Sequence, residues 1–116
     1  MTSIASTIPE RELRRYARVI LEVGVGLRAG QDLAINAHVE HADFARILCD
    51  EAYRAGAELV DVWYWDPHTK LARLSHAPPD SLRRTPEWLD ARYRRLADDG
   101  GALINLAGDP QPDLLS

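Results

Sequence analysis

A single cysteine, Cys49, and a single lysine, Lys70, stand in a chain of 116 residues. One thiol excludes an internal disulfide framework and suits a reducing compartment. Its place in a predicted helix makes it a small buried hydrophobe rather than a reactive group. With lysine nearly absent, arginine carries the positive charge, a bias better ascribed to codon usage than to a designed reader of phosphate or carboxylate. No apolar run approaches the roughly 20 residues of a membrane span, and Met1 to Glu10 lacks the basic start and apolar block of a signal peptide. The net charge of -4 and an isoelectric point near 5.5 argue against a nucleic-acid or anionic-membrane partner. A cytoplasmic protein is expected. Catalytic signatures are missing too: there is no GxSxG, no phosphate-binding P-loop and no Cys/His dyad at a recognisable spacing.

What is present is organised around Ala57 to Pro67, AELVDVWYWDP. Leu59, Val60, Val62, Trp63, Tyr64 and Trp65 form a nearly continuous apolar run, which predicts a central strand buried on both faces. Before it, Tyr53-Arg-Ala-Gly56 reads as a helix closed by a left-handed glycine. After it, Asp66 is placed to cap a new helix and Pro67 to fill its first turn.

The same grammar extends along the chain. A first helix begins near Pro9, with Leu13, Tyr16, Ala17, Ile20 and Leu21 on its buried stripe and the arginines opposite as an ordinary solvated face. Gly24, Gly26 and Gly30 break it and lead into a strand, Leu33 to Ala37. GVGLRAG is not a dinucleotide fingerprint, because that motif runs strand, glycines, helix and here the order is helix, glycines, strand. A second helix from about Val39 to Ala55 buries Phe44, Ile47, Leu48, Ala52 and Ala55. Beyond the organising strand come a short helix with Leu71 and Leu74 inward, a Pro78-Pro79 break, a single turn at Asp80 to Arg83, and a helix capped by Thr85. That last helix buries Trp88, Leu89, Tyr93, Leu96 and Ala97. After Gly100-Gly101 a third strand, Ala102 to Ala107, closes at the turn Gly108-Asp109-Pro110. The expected fold is α/β, a three-layer α/β/α sandwich around a short, mostly parallel sheet of three strands, with right-handed crossovers.

Two constellations carry candidate chemistry. His38-Val-Glu-His41 places two histidines three apart near Asp43, a spacing that shares one helix face and so suggests a metal site. Against it, His38 sits at a strand-to-helix junction, no cysteine pair accompanies it, and His68 and His76 belong elsewhere; exposed or capping histidines are the plainer reading, and no metal ligand is assigned. In open α/β sheets ligands collect beyond the carboxyl edge, where Asn36, Asp66, Asn105 and Asp109 would converge. Asp66 also has a helix to cap and Asp109 a turn to make, so these are weak ligand candidates. Asn36-Ala37-His38 lacks the acidic cluster of a phospho-acceptor receiver. The residues alone assign no catalytic group.

The order of segments, however, resembles the amino-terminal domain of the metallo-aminopeptidases of the aminopeptidase T and aminopeptidase S type, the thermophilic leucyl aminopeptidase family. The shared cues are the helix ending in Gly24, then Leu27 and Gly30-Gln31 before a strand, Glu40 opening a helix, and its close in Glu51-Ala-Tyr53-Arg-Ala-Gly56-Ala57. Asp66, the Leu71 and Arg73 helix, the Ala77-Pro78 break and Pro86-Glu87-Trp88 follow in sequence. The resemblance covers Leu13 to about Pro110. It implies a cytoplasmic, dimeric exopeptidase that releases amino-terminal residues from peptide substrates with two divalent metal ions, cobalt, zinc or manganese, which activate a bridging water. The family's metal ligands lie in a carboxy-terminal catalytic domain, so no residue here inherits a catalytic or ligand role. The implied plan is a disordered start at 1–8, an α/β domain at 9–110 that helps wall the cavity and support the dimer, and a tail at 111–116 leading toward the catalytic domain. The alternative is a stand-alone α/β module that binds a small ligand or a protein at its strand ends.

Overall fold

A helical period of about 3.6 residues alternates along the chain with short apolar runs, and in the computed structural model, which describes residues 8–106, these become helices and strands in turn. α1 (Glu10–Val19) enters after Pro9 and continues as a π-helical segment, Ile20–Val25, that ends at the left-handed Gly26 (φ 66°). β1 (Leu33–His38) leads through a 3-10 turn, Val39–His41, into α2 (Ala42–Arg54). β2 (Val60–Trp65) is followed by α3 (Pro67–His76), a 3-10 segment at Pro79–Arg83, α4 (Glu87–Asp98) and β3 (Ala102–Leu106). The expected turn at Gly108–Pro110, Ala107 of the third strand, and the tail at 111–116 lie outside the described residues, as does the chain start through residue 7.

The three strands are all parallel, in the order β2-β1-β3, with Leu33 opposite both Val60 and Ala102 and Asn36 opposite both Trp63 and Asn105. Crossovers of one hand account for the layers. The step from β1 to β2 runs one way across the sheet and places α2 on one face. The step from β2 back past β1 to β3 runs the other way and places α3 and α4 on the opposite face. The α/β/α sandwich is therefore present, and the sheet is wholly parallel.

Alternation assigns the faces. Leu33, Ile35, Ala37, Val60, Val62, Ala102, Ile104 and Leu106 point to the layer of α1 and α2, where Leu13, Ala17, Leu21, Phe44, Ala45, Leu48 and Ala52 meet them in one core. Truncating a fully buried member such as Leu48 to alanine is worth roughly 2–5 kcal/mol. Ala34, Asn36, His38, Asp61, Trp63, Trp65, Leu103 and Asn105 point the other way, toward α3 and α4.

Several sequence expectations are corrected. The aromatic strand is not central: β1 holds the middle and β2 an edge. The middle of the sheet, approached by helices from both sides, takes small side chains, Ala34 and Ala37. Wide rings work at the rim, where they reach inward over their neighbours. Gly24 lies inside the π-helical segment, and the helix ends only at Gly26. Tyr16 is 59% exposed, although its ring still packs on Phe44 at 5.7 Å. Ala55 is exposed because α2 has already ended. Leu74 and Trp88 are exposed, Trp88 by 69%, and no residue of α4 is fully buried. Thr85 makes no cap; Pro86 occupies the position before α4 without a side-chain hydrogen bond. Asp66 does cap α3, accepting from the His68 N–H at 2.9 Å, with Pro67 first in the helix.

The amino edge of the sheet is closed by backbone. Gly56 (φ 103°) ends the turn after α2, and a Cβ there would come within 3.2 Å of Ala29, so the conformation and the space both require glycine. The Gly30 N–H then donates to the Gly56 carbonyl at 2.8 Å. Gln31 accepts from the Arg28 N–H through Oε1 and donates to the Gly100 carbonyl through Nε2, both at 3.0 Å, which ties the loop before β1 to the loop before β3.

One core group is charged. Glu51, only 3% exposed, accepts from Arg18 at 2.8 Å and from Arg14 at 2.9 Å, and Arg14 also donates to Asp50 at 2.7 Å. This cluster locks α1 to α2. Burial pushes the Glu51 carboxyl up, but the hydrogen bonds from Arg18 and Arg14 outweigh it and hold the group below its ordinary value of 4.5. A depressed folded-state value stabilises above the unfolded value and is lost as pH falls through the folded one. Glu51→Gln is therefore expected to cost about 1–3 kcal/mol at neutral pH. In urea melts the gap between wild type and variant narrows as pH is taken below 4.5; a gap that stays constant with pH would contradict the role of the charge.

Candidate functional site

The carboxyl half of the sheet brings two of the four strand-end candidates together. Asn36 on β1 and Asn105 on β3 are register partners, so their side chains leave the same face side by side, with Trp63 of β2 completing the row. Sequence alone gave the strands but not this register. The Asn36 Nδ2 lies 3.4 Å from the Tyr93 hydroxyl of α4, and the Tyr93 ring stands edge-on to Trp63 with centroids 4.9 Å apart. Asp66 is drawn away into its cap on α3, and Asp109 lies outside the described residues.

Asp61, not singled out by sequence, organises the rest of this face. Its carboxylate accepts from the Trp63 indole N–H and from Arg92 of α4, the latter at 3.0 Å. The Arg92 guanidinium in turn lies 3.8 Å from the Trp63 ring centroid. Burial pushes the Asp61 carboxyl up; the hydrogen bonds from Trp63 and Arg92 pull it further down, to below its ordinary value. The only forewarning in sequence was an acidic residue inside an otherwise apolar strand. Asp61, Arg92, Trp63, Tyr93 and Asn36 thus form one chain of contacts that docks α4 on a face where it buries little apolar surface.

On the other face, a groove of about 650 Å³ opens between α1, the start of α2 and the end of β3, lined by Leu13, Tyr16, Ile20, Phe44, Ile104 and Leu106, with Glu12 and His41 as its polar side chains. It lies at the carboxyl edge, where open α/β sheets collect ligands, and its wall is mostly apolar. Among its described lining residues, no serine, threonine or cysteine is present. The thiol of Cys49 is pushed up by burial and by neighbouring Asp50, which keeps it protonated and unreactive.

The His38 and His41 pair is built differently from the helical spacing expected of it. β1 extends through His38, so His38 is a strand residue and only His41 belongs to the helical turn, and the shared helix face that would have aimed both at one ion does not form. His38 is buried, its Nδ1 accepts from the Glu40 N–H at 3.1 Å, and its ring packs edge-on against Trp65 at 4.7 Å and His41 at 5.8 Å. It caps and fills. Among the described residues, no three His, Cys, Asp or Glu side chains gather as a metal would require, and no helix is long and apolar enough to cross a membrane.

Arg92→Ala removes the ion pair and the stacked cation together. It is expected to cost about 1 kcal/mol, and to shift tryptophan emission to longer wavelength as water reaches Trp63. An unchanged melting temperature and spectrum would show that α4 is held by something else.

Comparison with known proteins places this arrangement. Residues 9–116 match the family described as Thermophilic metalloprotease (M29). Aminopeptidase T of Thermus thermophilus is 36% identical over 103 residues, which make up 88% of this chain and 25% of that protein. Aminopeptidase AmpS of Bacillus subtilis is 33% identical over 105 residues, 90% of this chain and 25% of that protein. The solved structure of wild-type AmpT from Thermus thermophilus superposes with a TM-score of 0.83 at 34% identity, covering 92% of this chain and 27% of its own. The chain spans about a quarter of the length of these relatives, the amino-terminal quarter. Nearly the whole described fold, from Pro9 through β3, lies inside the matched region, and on that match the chain belongs to the peptidase M29 family.

Proposed function

We propose that this chain serves as the amino-terminal, non-catalytic scaffold domain of a metal-dependent aminopeptidase that releases amino-terminal residues from peptides, helping to wall the active-site cavity and to support a homodimer. The observation that carries the reading is the fit of this fold, at a TM-score of 0.83, to about a quarter of a wild-type aminopeptidase T structure. On this reading the two divalent ions, cobalt, zinc or manganese, belong to a carboxy-terminal catalytic domain, and the protein works in the cytoplasm. Exposed Trp88, Tyr93 and Leu103, on or near the thinly covered side of the sheet, supply apolar surface that a neighbouring domain would take up.

The alternative, a stand-alone module that binds a small ligand or protein at its strand ends, draws on the apolar groove at the carboxyl edge. Metal-dependent hydrolysis of a leucyl chromogenic substrate separates the two. A chimera joining this chain to the rest of Thermus thermophilus aminopeptidase T is expected to hydrolyse it, and this chain alone is not. Activity in the isolated chain would overturn the scaffold reading, and an inactive but folded chimera would favour the module.

A further inference from the structure

The two edges of the sheet are finished differently. At β2 the edge is guarded. The outward N–H of Val60 donates to the Tyr53 hydroxyl at 2.9 Å, and that hydroxyl reaches back to the Val60 carbonyl at 3.5 Å, so one side chain of α2 occupies both polar groups where a strand would have to begin pairing. At β3, among the described residues, no side-chain hydrogen bond of this kind is seen. Its sequence, Ala-Leu-Ile-Asn-Leu, carries no charge, no proline and no bulge, the devices that protect an exposed edge. Because the Ala102 N–H donates to the Asp32 carbonyl and strand groups alternate in direction, the N–H and C=O of Leu103 and Asn105 point away from β1. Among the described residues no strand pairs with that side.

Both faces next to this edge are also unfinished. The apolar groove ends on Ile104 and Leu106 on one side of β3, and Leu103 is 38% exposed on the other. The order β2-β1-β3 is the opening of the doubly wound order 2-1-3-4-5.

We infer that the outer edge of β3 is a pairing site for a fourth parallel strand, supplied by the polypeptide that follows this quarter in family-length members. A parallel partner needs a crossover of about a dozen residues or more after Leu106, which places the strand in the stretch that relatives about four times as long carry past this region. The right-handed rule sends that crossover over the face of α4, covering Leu103, while the new strand's alternate side chains enter the groove beside Ile104 and Leu106. A second copy of this chain is disfavoured as the occupant, because it would leave the crossover face open. The inference rests on the scaffold reading and specifies how this domain joins its neighbour.

Amide hydrogen exchange tests it in the chimera described above and in the isolated chain. The Leu103 and Asn105 amides are expected to exchange rapidly in the isolated chain at low concentration, and more slowly by on the order of a hundredfold in the chimera. Leu103→Pro, which removes only an outward donor, is expected to abolish that protection at Asn105 and to destabilise the chimera more than the isolated chain. Leu103→Lys serves as a second variant that keeps the backbone donor but sets a charge at the edge. Equal exchange in chain and chimera would overturn the inference. So would protection that appears in the isolated chain as its concentration rises, since a second copy would then be the occupant. An active chimera with both amides unprotected would overturn the edge assignment and leave the scaffold reading standing; an inactive chimera with both protected would do the reverse.

Discussion

Every ladder in the described sheet has β1 as one of its two strands. A parallel strand paired on both sides has no backbone group left for solvent along its length, and it must accept a helical layer on each face. That double demand explains why Leu33–His38 is so modest a sequence, with alanine at two of its six positions and no charged carboxylate or arginine. It also fixes the traffic around the strand. One crossover departs to the left and the other returns to the right, so a single handedness distributes the helices to opposite faces without any further instruction from sequence.

The two faces are then held by different forces. On the α1 and α2 side, burial of aliphatic side chains does most of the stabilising, and the Glu51 cluster adds orientation: two arginines on α1, one turn apart, meet a buried carboxylate on α2, with Arg54 3.8 Å away. Without the arginines that carboxylate would be an uncompensated buried charge. On the α4 side there is little aliphatic burial to exploit, and the helix is positioned by the stacked Arg92 and Trp63, the carboxylate of Asp61 and the ring of Tyr93. Such contacts are directional but individually small. The second layer is accordingly placed by the isolated chain but weakly buried by it, and that asymmetry is what leaves apolar surface on one side of the domain.

Much of this was legible in sequence, because local chemistry decided it. Gly56, the Asp66-Pro67 cap and the glycines before β3 each punctuate the chain through backbone preferences that hold in any context, and the α/β order follows from them. What depended on partners was not legible. Apolar content marked β2 as buried but could not tell a strand covered by neighbours from one whose own rings do the covering. Tyr16, Leu74 and Trp88 have the right helical period and face too little protein. The burial of Glu51 depends on two arginines from another helix, which no local pattern announces. At the candidate site, Asn36 and Asn105 were singled out but their adjacency is a matter of register, and Asp66 was resolved in favour of its cap.

The residues that carry the family resemblance are, where the structure describes their roles, architectural. Gly30 and Gly56 let two loops approach at the amino edge, Gln31 ties the starts of β1 and β3, and Tyr53 closes the β2 edge. Arg73 staples α3 to the following turn through the carbonyls of Ser81 and Arg84, at 3.0 and 3.3 Å. Each of these satisfies backbone groups that would otherwise be left in loops or along a strand edge. Residues of this kind hold the amino end and one edge of the sheet, while among the described residues the outer backbone groups of β3 pair with no strand. The rigidity of this fold is thus concentrated where backbone groups are paired across loops, at the amino edge and along the outer side of β2.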